Sequence, residues 1–304
     1  MDKYKGIIVP MVTPLSGRDK LDREGLELLI ERVIKGGVHG IFVLGTTGEA
    51  QSLSYGVRRE IIKLACQQVN ARVPVFVGIT DTSSVESVKL AEVAHTEGAD
   101  ALVLTAPYFF PAGQTELFAY IKDMVPRLRL PLMLYNFPGM TKIWFEIKTL
   151  THLAEMDGII GVKDSSGDIS YYKEVCKLKK IRPDWSIFIG PEALMSLSLD
   201  VGGDGGVSGG ANVYPRLFVD CYEAKVAGDL ERVEELTNKI EEFQEIYTIG
   251  KYASKYIKAT KCCLSVLGVC DDFMEQPFHR FRPEHRAMIK EMLERFQVGQ
   301  IVEV

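Results

Sequence analysis

Eight short apolar runs rich in β-forming residues alternate with segments of helical period over the first two thirds of this 304-residue chain. Most of the runs are continuously apolar, as strands buried on both faces are, and each is separated from the next by room for one helix. The alternation predicts a parallel sheet built from strand–helix units. The predicted strands are residues 6–12, 40–46, 75–80, 101–106, 131–136, 159–164, 186–190 and 205–208.

Capping residues mark where helices begin and end within these units. Asp22 precedes a helical apolar stripe that starts at Leu26, and Ser54 precedes another that starts at Val57. Glycine follows a predicted helix and precedes a strand at 36–37 and at 98, as in the short loops of such units. Eight tandem units favour a closed (β/α)8 barrel of the TIM-barrel class, with an open doubly wound sheet as the alternative.

The last third of the chain has a different pattern. Strands stop near residue 215, and one helical stripe runs from Leu230 to Phe243, with further helical segments at 248–268 and 283–297. We therefore predict a barrel domain over 1–225 and an appended C-terminal helical region over 226–304. An apolar stripe of this kind is usually packed against a core, and partner binding is the alternative.

Composition and charge argue against several classes of protein. The net charge is -5 at pH 7 and no run of Lys or Arg exceeds two residues, so nucleic acid is not an expected partner. The apolar run near the N-terminus is too short for a secretory segment or a membrane span, which predicts a cytoplasmic protein. Six cysteines without a C-x-x-C pair or matched histidines indicate buried free thiols, and neither a disulfide framework nor a metal is expected.

Polar residues interrupt the apolar runs at the carboxyl ends of several strands, which is where catalytic groups lie in a closed barrel. Lys163 follows such a run, so its amine is expected in a partly apolar barrel mouth. Desolvation there favours the neutral, nucleophilic amine that forms an imine with a ketone. An isolated lysine more often pairs with a neighbour such as Asp164 or extends to solvent, and it is the other groups at the same rim that favour catalysis.

Two further strand ends carry candidate groups. Thr46 and Thr47 lie in a glycine-flanked turn, where backbone N–H groups and hydroxyls can bind a small carboxylate. The turn is too short for a dinucleotide or phosphate-loop fingerprint, and a plain turn is the alternative. Tyr135 ends another apolar run, where a phenol can transfer protons. The alternative is that Tyr135 is a core residue whose hydroxyl hydrogen-bonds the backbone.

Three motifs together closely resemble the pyruvate-dependent Schiff-base lyases, the superfamily of dihydrodipicolinate synthase and N-acetylneuraminate lyase. They are Gly45-Thr46-Thr47-Gly48-Glu49, Tyr135-Asn136-Phe137-Pro138 and Gly161-Val162-Lys163-Asp164-Ser165, and the resemblance extends from residue 6 through 212. It implies that Lys163 forms the imine and that Tyr135 transfers protons. It also implies that Thr46 and Thr47 bind the carboxylate, that Thr47 hydrogen-bonds Tyr135, and that the backbone at Val207 helps to hold pyruvate.

Three departures from this pattern concern the second substrate. Met140 stands where the dihydrodipicolinate synthases carry an arginine that binds the carboxylate of the aldehyde. Phe109 stands where they carry a tyrosine that completes a proton relay from a neighbouring subunit. The sialate lyases carry an Asp-Glu pair after the glycine that ends the seventh strand, whereas only one carboxylate follows here. The predicted second-substrate pocket is Met140, Gly190, Glu192 and Phe109.

The stretch 135–141 is more similar to the 2-keto-3-deoxy sugar-acid aldolases of the superfamily. The prediction is therefore a class I aldolase that cleaves or condenses a hydroxy-2-oxo acid through an imine with pyruvate, without a cofactor. A dihydrodipicolinate synthase, a dehydratase or deaminase that uses the same imine, and a catalytically silent binding protein are the alternatives. The resemblance also implies a homotetramer, and the apolar run Tyr108-Phe109-Phe110-Pro111 favours an interface.

Overall fold

A computed structural model describes residues 3–298, and its centre is a closed barrel of eight parallel strands. Each strand pairs with the next along the chain, and the last pairs with the first. The prediction of a (β/α)8 barrel rather than an open sheet is confirmed, and most strands are slightly shorter than predicted. The strands are β1 Gly6–Pro10, β2 Gly40–Val43, β3 Val75–Gly78, β4 Ala101–Thr105, β5 Leu132–Asn136, β6 Ile159–Asp164, β7 Ser186–Ile189 and β8 Gly205–Val207.

Helices connect the strands and form the outer layer. The side chain of Asp22 accepts a hydrogen bond from the Gly25 N–H and that of Ser54 from the Val57 N–H, so both predicted N-caps are present. The helices between and after the strands are α1 Arg23–Lys35, α2 Tyr55–Val69, α3 Ser84–Thr96, α4 Gln114–Met124, α5 Pro138–Thr141, α6 Ile147–Leu153, α7 Ile169–Lys177, α8 Met195–Asp200 and α9 Pro215–Ala227.

Three more helices form the predicted C-terminal region: α10 Leu230–Phe243, α11 Lys255–Val266 and α12 Pro283–Arg295. The predicted apolar stripe is buried in α10 from Val233 through Leu236 and Ile240 to Phe243, whereas its first residue, Leu230, is 70% exposed. Helix α9 runs across residue 225, and the division into 1–225 and 226–304 stays a prediction. The sequence pattern did not predict the antiparallel hairpin of Leu15–Gly17 with Lys20–Leu21 before α1, because strands this short leave no periodic signal.

Alternate residues of the strands fill the barrel interior, and the others pack against the helices. The interior cluster is apolar except for one phenol hydroxyl. It comprises Ile8, Phe42, Phe76, Ala101, Val103, Met133, Tyr135, Phe188 and Val207.

An irregularity in β6 sets which of its side chains enter this interior. Leu132 pairs with Ile159 but Met133 pairs with Gly161, so Ile160 is an extra residue in β6. Such a bulge shifts the inward and outward alternation by one position. Gly161 has a φ of +149°, and a Cβ there would lie 1.8 Å from the carbonyl oxygen of Ser186. The close strand contact at the bulge therefore requires glycine.

The C-terminal region is joined to the barrel rim by a buried ion pair. Lys261 of α11 contacts the carboxylate of Glu49, which follows the turn after β2, and neither side chain is exposed. Lys261 Nζ also donates to the Phe273 carbonyl at 2.7 Å, and Glu275 N donates to the second Glu49 oxygen at 3.1 Å. Helix α11 thus packs against the same barrel end that carries the polar strand ends.

Candidate active site

Lys163 lies near the carboxyl end of β6, inside the barrel, with 5% of the residue exposed. Its Nζ is 3.8 Å from the centre of the Tyr135 ring and 5.1 Å from that of Phe42. No charged group among residues 3–298 offsets the desolvation, and burial lowers the pKa of Lys163 to about 7. A large share of the amine is therefore neutral, and nucleophilic, near pH 7.

The neighbouring carboxylate does not pair with this amine. Asp164 accepts hydrogen bonds from Asn136 Nδ2 at 2.7 Å and from Ser166 Oγ at 2.9 Å. Successive side chains of a strand point to opposite faces, so Asp164 lies on the outer side of β6 when Lys163 lies on the inner side. The alternative in which Lys163 pairs with Asp164 is excluded by this geometry.

Tyr135 lies across from Lys163 in the register of β5 and β6. Burial raises the pKa of the Tyr135 phenol to about 12, and hydrogen bonding to the hydroxyls of Ser165 and Thr46 limits that rise. The ring stacks on that of Phe137, with centroids 5.6 Å apart. A phenol in this setting keeps its proton near neutral pH and is placed to exchange it with a group bound at Lys163.

Thr46 and Thr47 lie half-buried in the turn after β2, at the same end of the barrel. The Gly48 N–H donates to the Gly45 carbonyl at 3.0 Å, which closes the turn. The Thr46 hydroxyl hydrogen-bonds the Tyr135 phenol, and the hydrogen bond between Thr47 and Tyr135 that the resemblance implied stays a prediction.

Val207 ends β8 and faces the barrel interior, where it belongs to the same apolar cluster as Tyr135. It pairs with Ile8 of β1, and the N–H of the following Ser208 donates to the Ile8 carbonyl at 3.1 Å. The structure therefore brings Val207 to the end of the barrel where Lys163 lies.

Two residues of the predicted second-substrate pocket are exposed. Met140 lies on the short helix α5 and is 45% exposed, and Phe109 lies in the loop after β4 and is 95% exposed. Phe109 has a φ of +82°, which is an unfavourable conformation for a bulky side chain. Neither residue contributes a charge to the barrel mouth.

The other two predicted pocket residues follow β7. Gly190 lies beside Ser165, since a Cβ at position 190 would be 2.0 Å from the Ser165 hydroxyl oxygen. Glu192 is half-buried, and its Oε1 accepts a hydrogen bond from the Gly210 N–H at 2.5 Å. Its carboxylate is thus directed at the loop after β8.

Sequence reasoning did not single out Phe42 or Ser165, both of which belong to this site. Phe42 is an apolar residue inside an apolar strand, and nothing in the sequence marks it as the ring next to Lys163. Ser165 carries a detectable signal, because it lies two positions after Lys163 and so follows it on the same face of the strand.

Three general features bear on cofactors and environment. Within residues 3–298 no group of three or more His, Cys, Asp or Glu side chains could hold a metal ion. The six cysteines are buried and unpaired, which confirms the prediction of free thiols. No helix in the described range is long and apolar enough to cross a membrane.

The chain matches a known protein family over almost its whole length. The model of the dihydrodipicolinate synthetase family matches residues 3–296. The chain belongs to this family. Members of the dihydrodipicolinate synthetase family are pyruvate-dependent carbon–carbon lyases, so the chain is an enzyme of that class, as its motifs predicted.

Individual members of the dihydrodipicolinate synthetase family resemble the chain over most of its length. The structure of dihydrodipicolinate synthase from Bacteroides thetaiotaomicron has a TM-score of 0.94 and 47% identity, covering 97% of this chain and 100% of that one. The 4-hydroxy-tetrahydrodipicolinate synthase of Thermodesulfovibrio yellowstonii is 35% identical over 78% of this chain and 81% of its own. The probable 2-dehydro-3-deoxy-D-pentonate aldolase YjhH of Escherichia coli K12 is 31% identical over 88% and 89%.

Proposed function

We propose that Lys163 forms an imine with pyruvate and that the enzyme uses this imine to cleave or form the carbon–carbon bond of a hydroxy-2-oxo acid. The observation that carries the proposal is the isolated, buried amine of Lys163. Burial lowers its pKa to about 7, and its Nζ lies 3.8 Å from the centre of the Tyr135 ring. A free amine in an apolar site is what attack on a ketone requires.

Imine formation begins when the neutral Lys163 amine attacks the keto carbon of pyruvate. The resulting carbinolamine loses its oxygen as water once a proton reaches it. The phenol of Tyr135 supplies and recovers this proton, supported by hydrogen bonding to the hydroxyls of Thr46 and Ser165. The product is an imine that accepts electrons from the adjacent methyl carbon when protonated.

Because the protonated imine accepts electrons, a carbon–carbon bond next to it can be formed or broken. In condensation, loss of a proton from the methyl carbon gives an enamine, whose carbon attacks the carbonyl carbon of an aldehyde. In cleavage, the hydroxyl of the bound hydroxy-2-oxo acid loses its proton, the adjacent carbon–carbon bond breaks, and its electron pair enters the imine. Cleavage thus releases an aldehyde and leaves the enamine of pyruvate, whose carbon takes up a proton to give the imine again. Water then hydrolyses the imine, releases the keto acid and restores the Lys163 amine.

The remaining predicted residues hold the keto acid in this scheme. Thr46 and Thr47, in the turn at the same rim, bind the carboxylate of pyruvate through their hydroxyls and N–H groups, and the backbone at Val207 supports the other side. No cofactor takes part in these steps, since the protonated imine itself provides the electron sink.

For the second substrate, we propose a 2-keto-3-deoxy sugar acid or a similar hydroxy-2-oxo acid. An aldehyde substrate that carries a carboxylate would need a cation to bind it, but Met140 is uncharged at that position. Gly190 and Phe109 add no charge to the predicted pocket. The relative described as a probable 2-dehydro-3-deoxy-D-pentonate aldolase supports this choice. Losing a bidentate charged contact costs on the order of 2–5 kcal/mol of binding, which disfavours a carboxylated aldehyde.

A second candidate is dihydrodipicolinate synthase activity, favoured by the 47% identity to a structure described by that name. A dehydratase or deaminase that uses the same imine for elimination is a third candidate.

The experiment compares kcat/KM for condensation of pyruvate with aspartate semialdehyde against kcat/KM for cleavage of several 2-keto-3-deoxy sugar acids on one preparation. We expect efficient cleavage and poor condensation; efficient condensation without cleavage would assign the enzyme to the synthase branch.

We further propose that the enzyme is a cytoplasmic homotetramer. Six buried, unpaired cysteines are typical of a protein kept in a reducing compartment. The exposed side chains of Phe109 and Phe110 support assembly, because large apolar groups this accessible on one loop are usually covered by another subunit.

A further inference from the structure

Glu192 makes contacts that a substrate ligand does not need. Its Oε1 accepts a hydrogen bond from the Gly210 N–H at 2.5 Å, and the Gly209 N–H also hydrogen-bonds this carboxylate. Its Oε2 lies 3.5 Å from Gln244 Nε2, just after α10. The side chain therefore connects the loop after β7 to the loop after β8 and to the C-terminal region.

The loop after β8 is shaped to receive this carboxylate. A Cβ at Gly209 would lie 3.5 Å from Glu192 Oε1, and a Cβ at Gly210 would lie 3.1 Å from Oε2 and 2.6 Å from the ring of Phe218. A side chain at position 210 has no room. The N–H groups of both glycines are satisfied by one acceptor that reaches across from a neighbouring strand end.

The same loop is anchored on its other side to β1 and to Val12, which follows β1. Ser208 N donates to the Ile8 carbonyl at 3.1 Å, and Asn212 Oδ1 accepts from Val12 N at 3.1 Å. Asn212 Nδ2 donates to the Pro10 carbonyl at 3.0 Å. The contacts to β1 fix one edge of residues 208–212, and Glu192 fixes the edge that faces β7.

A tyrosine hydroxyl lies near the Gly209 backbone that Glu192 contacts. The hydroxyl of the buried Tyr247 would lie 4.0 Å from a Cβ at Gly209, on the same side of the loop as the carboxylate. Burial raises the pKa of Glu192 to about 7, and no cation contributes to its titration. The arrangement thus uses Glu192 as a hydrogen-bond acceptor and not as one half of an ion pair.

We propose that Glu192 is a positioning residue, whose acceptor oxygens hold Gly209 and Gly210 and so set the backbone of Val207 against the bound keto acid. The inference rests on the proposed function, in which the backbone at Val207 contacts pyruvate. Glu192 then acts on pyruvate affinity through the loop after β8, and it is not a ligand of the second substrate.

The test compares Glu192→Gln, Glu192→Asp and Glu192→Ala by the pyruvate concentration that half-saturates borohydride trapping. Glutamine keeps the length and the acceptor oxygen, whereas aspartate keeps the charge but is shorter by about 1.5 Å. We expect the Asp and Ala variants to raise the half-saturating concentration by about tenfold, and the Gln variant to stay within about threefold of wild type. The maximal trapping rate is expected to change little in all three.

Amide hydrogen exchange over residues 208–213 provides a readout independent of pyruvate. Exchange is expected to be faster in the Asp and Ala variants and unchanged in the Gln variant. Glu245→Ala is the matched control, because it removes an exposed carboxylate paired with Arg295 in the same region. If the Ala variant does not fold, the Asp and Gln variants still decide the outcome.

Two results would overturn the positioning role. One is a Gln variant as impaired for pyruvate as the Ala variant, and the other is unchanged pyruvate saturation and unchanged exchange in the Asp and Ala variants. Wild-type enzyme that gives no pyruvate adduct would instead defeat the proposed function. Exchange over 208–213 would then decide alone whether Glu192 holds the loop.

Discussion

Lys163 lies among apolar side chains with no carboxylate to pair with, and the free energy of this arrangement depends on protonation. Loss of solvation raises the free energy of the charged amine, whereas the neutral amine is compatible with the apolar surroundings of Phe42 and Tyr135. Burial shifts the pKa of Tyr135 in the opposite direction, up to about 12, so the phenol keeps its proton. Near neutral pH the site therefore holds a partly neutral amine beside a protonated phenol.

The rate of imine formation is expected to rise with pH through the pKa of Lys163. Because the reactive amine is the neutral form and burial lowers its pKa to about 7, saturating rates of adduct formation should increase between about pH 6 and about pH 8 and then level off. Single-turnover trapping with pyruvate measures this profile. An inflection near the ordinary lysine pKa would show that the amine is not desolvated as described.

The same burial predicts that replacing Lys163 stabilises the fold. The pKa is about 7 in the folded chain and ordinary when unfolded, so the unfolded state binds an extra proton between these values, and stability rises with pH across that window. Lys163→Met removes the penalty, with a gain of about 2–4 kcal/mol at pH 7 that shrinks as pH approaches 10. Urea unfolding at several pH values measures it. A destabilised variant, or a gain independent of pH, would contradict the account.

The bulge in β6 determines that Lys163 enters the barrel. Ile159 faces the helices and Ile160 faces the interior, so strict alternation from these residues would turn Lys163 outward. The extra residue at Ile160 and the glycine at 161 reverse the phase. The sequence shows that Lys163 follows an apolar strand, but the direction of its side chain depends on a register irregularity that local pattern does not reveal.

The ion pair between Glu49 and Lys261 links the β2 strand end to α11 and is fully buried. Lys261→Met leaves an unpaired carboxylate that burial already disfavours, and we expect a loss of about 3–5 kcal/mol in the free energy of unfolding. The double variant Glu49→Gln/Lys261→Met should recover much of this loss. The midpoint of urea unfolding reports both effects.

Lys239→Met is the control for this pair, because Lys239 contacts Glu235 on an exposed face and such pairs contribute about 0–1 kcal/mol. Equal destabilisation by Lys261→Met and Lys239→Met would show that the buried pair does not join the two regions. A double variant no more stable than Lys261→Met would point to another cause for the loss.

Barrel closure explains why the fold and the grouping of the candidate site residues follow from the sequence, whereas the surroundings of the candidate site do not. Eight continuous apolar runs with helices between them predict the barrel, and closure places Lys163, Tyr135 and the Thr46–Thr47 turn at one end. The contacts of Glu192 join groups 18 and 52 residues apart, to Gly210 and Gln244, and depend on how the C-terminal region packs. No spacing in the sequence carries that information.

Assembly is a property of the complete enzyme that Phe109 and Phe110 are expected to govern. Both rings are more than four-fifths exposed, at 95% and 81%, on one loop. Light scattering should give about four times the 34.0 kDa mass of the chain, and Phe109→Asp/Phe110→Asp should lower it. Ile181→Asp, at another exposed apolar position, is the control. A fully active wild-type monomer at micromolar concentration would remove the interface argument.

The most direct test of the central claim is reductive trapping of the pyruvate imine. Borohydride added with pyruvate is expected to convert the imine into a stable secondary amine, and peptide mass spectrometry should place the modification on Lys163. Lys163→Ala should remain unmodified under the same conditions. If Lys163→Ala accumulates the same adduct at the same rate, or if wild-type enzyme carries the adduct on another lysine, Lys163 is not the nucleophile.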